Sequence, residues 1–244
     1  MSNVKIFVEE NYAAMSRRSA RMVAAQVAEK PESVLGLATG STPIGTYEEL
    51  IRLFNAGEVD FSRVETFNLD EYFPISKEND QSYAYFMRKK LFDFLNISAE
   101  KINIPSGEAA DHIAECAAYE KKIADAGGID LQILGIGANG HIAFNEPADV
   151  FSAVTRYVEL DASTIKANAR FFANENEVPR HALTMGIKTI MQTRKILLLA
   201  SGAGKAEILR DAIFGAITPS NPASVLQLHQ DVTVIADKDA AQFL

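Results

Sequence analysis

Short apolar runs alternate along this chain with longer segments in which apolar residues recur every three or four positions. The short runs predict strands at residues 3–8, 33–38, 63–69, 129–137, 155–160, 195–201 and 232–237. The longer segments predict helices, among them residues 11–30, 43–57, 82–95, 111–127, 162–172 and 205–215. Several strands, such as LQILGIG and KILLLA, are apolar at consecutive positions, as in parallel sheets that helices cover on both faces. The pattern predicts an α/β fold, a single-domain three-layer αβα sandwich with a Rossmann-like, mostly parallel sheet of about seven strands.

Composition narrows the class of protein. No repeat or Pro/Gly/Ser-rich linker divides the chain, so we expect one domain over residues 1–244. The net charge of −8 offers no basic field to nucleic acid or an anionic membrane. The apolar runs are far shorter than the roughly 20 residues of a membrane span, the first residues lack a signal-peptide pattern, and the single cysteine, Cys116, is typical of a reducing compartment. We expect a cytoplasmic protein that binds neither nucleic acid nor membranes, while its self-association stays open.

Ligands of open parallel sheets bind beyond the carboxyl ends of the strands, and the first polar strand end is LGLATGSTP. Here a predicted strand runs into Gly40, Ser41 and Thr42, followed by Pro43 where the first helical residue is expected. Backbone N–H donors, small residues and hydroxyls at a helix N-terminus form a cradle for phosphate. The alternative is ordinary capping of the helix by Ser41 or Thr42.

The second polar strand end is VETFNLDEYFP, which carries the adjacent carboxylates Asp70 and Glu71. Successive residues of a strand point to opposite faces, so only one of the two is expected to face a site. Such a carboxylate can serve as a general base, a metal ligand or a helix cap. No set of histidines and carboxylates at metal-binding spacing accompanies it, so we predict no metal.

The third is LGIGANGHIAFNEP, whose glycines match the G-x-G-x-x-G spacing of dinucleotide-binding loops. Pro147 leaves little room for the helix that such a loop must open, which weakens the dinucleotide interpretation without eliminating it, because Glu159 lies at a tolerable distance. The favoured interpretation is a tight turn that presents His141, with Asn139 and Glu146 close enough to hold its ring. A histidine with a neighbouring carboxylate is suited to general acid/base catalysis.

Two cations are further candidates, because an acidic chain must capture a phosphate with local groups. Lys205 follows a Gly-rich strand exit at a predicted helix start, where a phosphate could be bound. Arg170 lies in the segment KANARFF.

Five segments together resemble, in the same order, the glucosamine-6-phosphate deaminases: LGLATGSTP, FNLDEY, LGIGANGHIAFNEP, ANARFF and PASVLQLH. The resemblance extends from about residue 3 to residue 237, and GHIAFNEP separates it from the related 6-phosphogluconolactonases, which share the fold and a Gly-His loop. It implies conversion of glucosamine 6-phosphate and water to fructose 6-phosphate and ammonia, without a metal or organic cofactor.

The same resemblance implies roles for the polar residues. His141 assists opening of the pyranose ring, with Glu146 and Asn139 orienting its imidazole. Asp70 takes the proton from C2 and returns it at C1. The implied substrate contacts are Gly40, Ser41, Thr42, Gly137, Arg170 and Lys205.

The chain departs from the family at two points. Some members have Asp where this chain has Asn139, so the negative charge beside the imidazole must come from Glu146. Long members are activated by N-acetylglucosamine 6-phosphate at a basic site after the NEP motif, of which this chain keeps Arg156 but has Val158 and Glu159 in place of Lys and Thr. We therefore expect no such activation.

Two rival functions stay open on the sequence. A 6-phosphogluconolactonase-like hydrolase would need no carboxylate over C2 and would tolerate loss of Asp70. A non-catalytic sugar-phosphate sensor would bind the sugar phosphate without turnover, although sensors of this fold usually carry an N-terminal DNA-binding helix-turn-helix, whereas a predicted strand begins here almost at residue 1.

Overall fold

The computed structural model of this chain describes residues 4–169, 172 and 174–244. Its strands are β1 (Val4–Glu9), β2 (Val34–Leu37), β3 (Glu65–Asn68), β4 (Asp70–Phe73), β5 (Ile102–Asn103), β6 (Leu131–Gly135), β7 (Arg156–Glu159), β8 (His181–Thr184), β9 (Lys195–Ala200) and β10 (Val232–Asp237). Its α-helices are α1 (Tyr12–Glu29), α2 (Ile44–Asn55), α3 (Tyr83–Lys90), α4 (His112–Asp125), α5 (Ala162–Asn168), α6 (Ile187–Met191) and α7 (Ala206–Phe214).

The main sheet has seven strands, in the order β1, β10, β9, β6, β2, β3, β5, and every neighbouring pair is parallel. The consecutive apolar residues of β9 and β10 are buried on both faces of the sheet, as the sequence pattern predicts. Ile133, Leu198 and Val234 are fully buried in the main core. The predicted α/β sandwich with a seven-stranded, mostly parallel sheet is confirmed.

One predicted strand does not join this sheet. The segment 155–160 forms β7, which pairs antiparallel with β8, and β8 pairs antiparallel with β4 in a second, three-stranded sheet. Burial alternates along β7, which fits a strand that is covered on one face only. The seventh place in the main sheet belongs instead to β5, which has only 2 residues and gives too short a pattern to predict.

The two sheets meet where β3 passes into β4. The Leu69 N–H donates to the Leu37 carbonyl of β2 at 3.1 Å, and the Leu69 carbonyl accepts from the N–H of Met185, just after β8, at 2.8 Å. Asp70 is therefore the first residue of the second sheet and lies directly beyond the carboxyl end of β3. Because the main sheet is parallel, the loops after β1, β2, β6 and β9 lie at the same edge. In the part of the chain that the structure describes, no helix combines the length and apolar character needed to cross a bilayer.

Candidate active site

Asp70 is a buried carboxylate whose negative charge is not stabilised by a side-chain hydrogen bond from the described residues. Its residue is 6% exposed, and no side chain of residues 4–169, 172 or 174–244 donates a hydrogen bond to it. The nearby phenol groups bond elsewhere: the Tyr47 hydroxyl donates to the Ala38 carbonyl at 2.5 Å and that of Tyr119 donates to the Asn68 carbonyl at 2.7 Å. Burial, with a smaller contribution from the charge of Glu71, raises the pKa of Asp70 to about 8. When it is ionised, the group is therefore a stronger base than an ordinary carboxylate.

Glu71 points the other way and caps a helix. Its carboxylate accepts the backbone N–H groups of Tyr83 and Ala84, both at 2.8 Å, at the start of α3, and that of Tyr72 at 2.9 Å. Burial raises the pKa of Glu71 to about 7, and these N–H donors limit the rise. The N–H donors occupy both oxygens of Glu71, so of the two neighbouring carboxylates Asp70 is the one that is not engaged in capping.

The glycine loop after β6 is a turn that presents His141. The Gly137 N–H donates to the His141 carbonyl at 2.9 Å, and Gly140 adopts the left-handed φ of 87°. A Cβ atom on Gly137 would lie 2.4 Å from Cε1 of His141, so this glycine makes room for the imidazole. No helix occurs between residues 141 and 161, all of which the structure describes, and the dinucleotide interpretation is therefore wrong.

The chain then turns back and brings Glu146 to the imidazole. Ile142 and Asn145 form a tight turn in which Ala143 has the left-handed φ of 52°. Oε2 of Glu146 lies 3.2 Å from Nδ1 of His141 and accepts from Nδ2 of Asn139 at 2.7 Å.

Asn139 contacts Glu146 and the loop backbone, not the imidazole ring. Its Oδ1 accepts from the backbone N–H of His141 at 3.3 Å, while its amide group donates to Glu146. Asn139 therefore acts on the ring through the carboxylate.

The carboxylate of Glu146 has a third partner that sequence reasoning missed. Oγ1 of Thr164, in α5, donates to Oε1 of Glu146 at 2.5 Å. Burial pushes the pKa of Glu146 up, but the hydrogen bond and charge of His141 and the donors Thr164 and Asn139 outweigh it, so the pKa is lowered. Glu146 is therefore ionised near neutral pH and can orient and stabilise a protonated imidazole. Thr164 is 18 residues from Glu146, and no local pattern links the two.

The His141 loop is attached to the strand that faces Asp70. The Phe144 N–H donates to Oγ1 of Thr184 at 2.9 Å, and Thr184 is the residue opposite Asp70 in the β4–β8 pair. Asn145 donates from Nδ2 to the Met185 carbonyl at 2.8 Å. These bonds bring the His141 loop and the buried carboxylate together at one edge of the sheet.

The Gly40–Thr42 loop forms the N-terminal entry to α2. Gly40 has the left-handed φ of 94°, and the helix begins at Ile44, one residue later than predicted, with Pro43 as its N-cap. Neither Ser41 nor Thr42 caps this helix with its side chain, so the capping alternative does not occur. The Gly45 N–H is bonded to the Tyr12 hydroxyl and that of Ile44 to the Ser41 carbonyl, so an anion at this end of the helix would be met by the loop that precedes it and by the helix dipole.

Tyr12, a residue that the sequence patterns did not single out, holds this loop. Its hydroxyl donates to the Ser41 carbonyl at 3.1 Å and accepts the Gly45 N–H at 2.8 Å. A cavity of about 370 Å³ lies alongside, lined by Tyr12, Ser41, Thr42, Ile44, Glu48 and Ser201. The loops after β1, β2 and β9 therefore share one cavity.

Lys205 lies four residues beyond Ser201, at the N-cap of α7 after Gly202, which has the left-handed φ of 87°. The β9 exit is fixed by Asp237, which accepts from the Ser201 hydroxyl at 2.5 Å and from the Gly202 N–H at 3.0 Å. Arg170, the other predicted cation, lies outside the described residues. Within the described chain, no group of three or more His, Cys, Asp or Glu side chains could hold a metal ion.

Comparison with known proteins identifies similar chains over the full length. The family described as glucosamine-6-phosphate isomerases/6-phosphogluconolactonase matches residues 8–235. The glucosamine-6-phosphate deaminase of Clostridium botulinum (strain Kyoto / Type A2) is 54% identical over 241 residues, covering 99% of each chain. That of Clostridium acetobutylicum (strain ATCC 824) is also 54% identical and covers 99% of this chain and 100% of its own.

Solved structures extend the comparison. A structure described as a monomeric glucosamine-6-phosphate deaminase superposes with a TM-score of 0.96 at 44% identity, covering 98% of this chain and 100% of its own. The 6-phosphogluconolactonase of Trypanosoma brucei covers 100% of both chains with a TM-score of 0.78, but at 20% identity it shows the fold alone. The sequence relatives and the solved deaminase agree with the site geometry in pointing to proton transfer on a sugar phosphate.

Proposed function

Because this chain belongs to the family of glucosamine-6-phosphate isomerases and 6-phosphogluconolactonases, we infer that it is an enzyme that converts glucosamine 6-phosphate and water to fructose 6-phosphate and ammonia. The deaminases that are 54% identical over nearly the whole chain support this activity. The observation that carries our assignment of roles is the pairing of an uncompensated buried carboxylate, Asp70, with the His141–Glu146 loop at one edge of the sheet.

We assign ring opening to His141. Glu146 holds Nδ1 of the imidazole, which leaves Nε2 to face the substrate. Nε2 would take the proton of the anomeric hydroxyl and return it to the ring oxygen, giving the open-chain aldehyde. The ionised Glu146 stabilises the imidazolium that exists between these two transfers.

We assign the carbon chemistry to Asp70. Its carboxylate would remove the C2 proton of the open chain, forming an enol-type intermediate, and return a proton to C1. This moves the carbonyl oxidation level to C2, where the amine becomes an imine, and water then hydrolyses the imine to the ketone and ammonia. The raised pKa of Asp70 suits this task because a base is most effective when its pKa lies near the working pH.

We assign the phosphate to the N-terminal end of α2. Gly40, Ser41 and Thr42 precede the N-terminus of α2, whose dipole favours an anion, and their small side chains let a phosphate approach the backbone and hydroxyl groups of the loop. Lys205, and Arg170 on sequence resemblance, would supply local positive charge for the phosphate in a chain whose net charge is −8.

The test is release of ammonia and fructose 6-phosphate from glucosamine 6-phosphate in buffer containing a chelator. We expect equal amounts of the two products from the wild type, and almost none from His141→Ala or Asp70→Asn. Asp130→Asn is the matched control. It removes an equally buried carboxylate that accepts from Lys30 at 2.8 Å and lies just before β6, whereas the His141 loop follows that strand, so the variant should keep the activity. If the protein were a lactonase, its Asp70→Asn variant would still hydrolyse a lactone. If it were a sensor, it would bind the sugar phosphate without releasing ammonia.

We further propose that N-acetylglucosamine 6-phosphate does not activate the enzyme. Arg156 supports this, because its guanidinium donates to Oδ1 of Asn145 at 2.8 Å and is engaged with the catalytic loop. Its neighbours Val158 and Glu159 offer no second cation. Kinetics should be hyperbolic and unchanged by the acetylated sugar phosphate, whereas a shift in half-saturation on its addition would contradict the proposal.

A further inference from the structure

Helix α5 makes one side-chain hydrogen bond to the His141 loop and one to β4, the strand that begins with Asp70. Oγ1 of Thr164 donates to Oε1 of Glu146 at 2.5 Å, and Nδ2 of Asn168 donates to the Tyr72 hydroxyl at 2.8 Å. Tyr72 is the second residue after Asp70 in β4. Residues four apart lie on the same face of a helix, so one face of α5 contacts both the His141 loop and the Asp70 strand.

The contact with Glu146 is made on the oxygen that the His141 loop leaves open. Oε2 of Glu146 is occupied by Asn139 and His141, whereas Oε1 is bonded by Thr164. A carboxylate held on one oxygen only can rotate about its last bond and take Oε2 away from the imidazole. A donor on Oε1 prevents this rotation, and charge-assisted hydrogen bonds are among the strong ones.

Thr164 is itself held in place. It is 5% exposed, and its helical neighbour Ile165 is packed in the small apolar core with Tyr72 and Phe144. The ring of Tyr72 packs against those of Tyr83 and Phe144, with centroids 4.7 and 5.8 Å away, so the Asn168 end of α5 is bonded to a cluster of aromatic rings. The Thr164 hydroxyl therefore acts from a fixed position and does not simply follow the carboxylate.

We infer that Thr164 is a positioning residue for the imidazole of His141, acting through the carboxylate of Glu146. The inference rests on the proposed ring-opening role of His141. Thr164 itself does not touch the reacting atoms. Its hydroxyl fixes which way the carboxylate faces, and the carboxylate fixes which way the imidazole faces.

The test compares three variants. Thr164→Val keeps the shape of the side chain and removes the hydroxyl, while Thr164→Ser keeps the hydroxyl. Ser163→Ala removes an exposed hydroxyl from the neighbouring position of the same helix and is the matched control. Thr164→Ala replaces Thr164→Val if the latter does not give folded protein.

We expect Thr164→Val to lower kcat about 10- to 100-fold, the range expected for losing a hydrogen bond to a charged group. Thr164→Ser should recover most of this loss, and Ser163→Ala should match the wild type.

Binding of the open-chain alcohol made by reducing the substrate at C1 should change less than about twofold, because that ligand needs no ring opening. The ¹³C-carboxyl resonance of Glu146 should titrate at higher pH in Thr164→Val, since a donor that holds its pKa down is lost.

Three results would overturn the inference: an unchanged kcat and titration in Thr164→Val, a Thr164→Ser variant as impaired as Thr164→Val, or a loss of open-chain binding as large as the loss of kcat. The last would mean that Thr164 supports the whole site and does not position one group. If the wild type releases no ammonia, the proposed function fails, and the Glu146 titration still tests the contact because it needs no substrate.

Discussion

Replacing Asp70 by Asn should stabilise the fold while it abolishes activity. Burial and the charge of Glu71 raise the pKa of Asp70 from 3.8 to about 8, whereas an unfolded chain leaves the carboxyl near 3.8. Between these two values the folded protein holds a proton that the unfolded chain has released. The stability of the wild type must therefore fall as pH rises through this window, and Asn, which never ionises, avoids the loss.

The size of the effect follows from the two pKa values. At about 1.36 kcal/mol per pKa unit, the loss of stability is about 2 kcal/mol at pH 5 and about 5 kcal/mol at pH 8. Water that enters the folded site around the ionised carboxylate reduces the second figure. We expect the advantage of Asp70→Asn in the free energy of unfolding to grow by about 2 to 3 kcal/mol between pH 5 and pH 8.

Urea denaturation of both proteins at pH 5 and pH 8 measures this difference, and equal m-values would show that the unfolded states are comparable. Asp130→Asn is the control, because the Asp130 side chain is only 4% exposed but is paired with Lys30 and Arg194. It should lose stability at both pH values. An Asp70→Asn protein that is no more stable than the wild type at pH 8, or equally favoured at both pH values, would refute the reasoning, since it would mean that the folded site compensates the ionised carboxylate.

Three further predictions concern catalysis. Because the base must be ionised, kcat/KM should fall about tenfold per pH unit below about pH 8 as Asp70 is protonated, and a profile from pH 6 to 9 that stays flat would contradict this. Asn139→Asp would place a second carboxylate where the amide nitrogen now lies 2.7 Å from Oε2 of Glu146. Repulsion between the two charges should raise the pKa of the pair, and any acidic limb of the pH–rate profile that is due to Glu146 should move to higher pH. Unchanged pKa values of the pair in a ¹³C titration would contradict this. Gly137→Ala should cost about 100-fold in kcat with an unchanged circular dichroism spectrum, because the new methyl would lie 2.4 Å from Cε1 of His141; near-normal activity would mean that the ring can move without loss.

Local sequence determined much of this protein. Consecutive apolar residues identify strands buried on both faces, and the carboxyl ends of such strands contain the polar segments that form the site. Asn139, His141 and Glu146 lie within eight residues, so a single tight turn is enough to bring them together. Periodicity and turn chemistry act over such short distances, which is why a sequence pattern can report them.

Contacts between residues that are far apart in the sequence were decided only by the tertiary structure. Thr164 meets Glu146 across 18 residues, the Tyr12 hydroxyl meets the Ser41 carbonyl across 29, and Asn168 meets the Tyr72 hydroxyl across 96. The strand pattern predicts that adjacent carboxylates face opposite ways, but it cannot say which one a helix N-terminus will take up. That choice, like the transfer of β7 to a second sheet, is made by the packing of whole elements, because buried polar groups must find partners that the fold alone brings within reach.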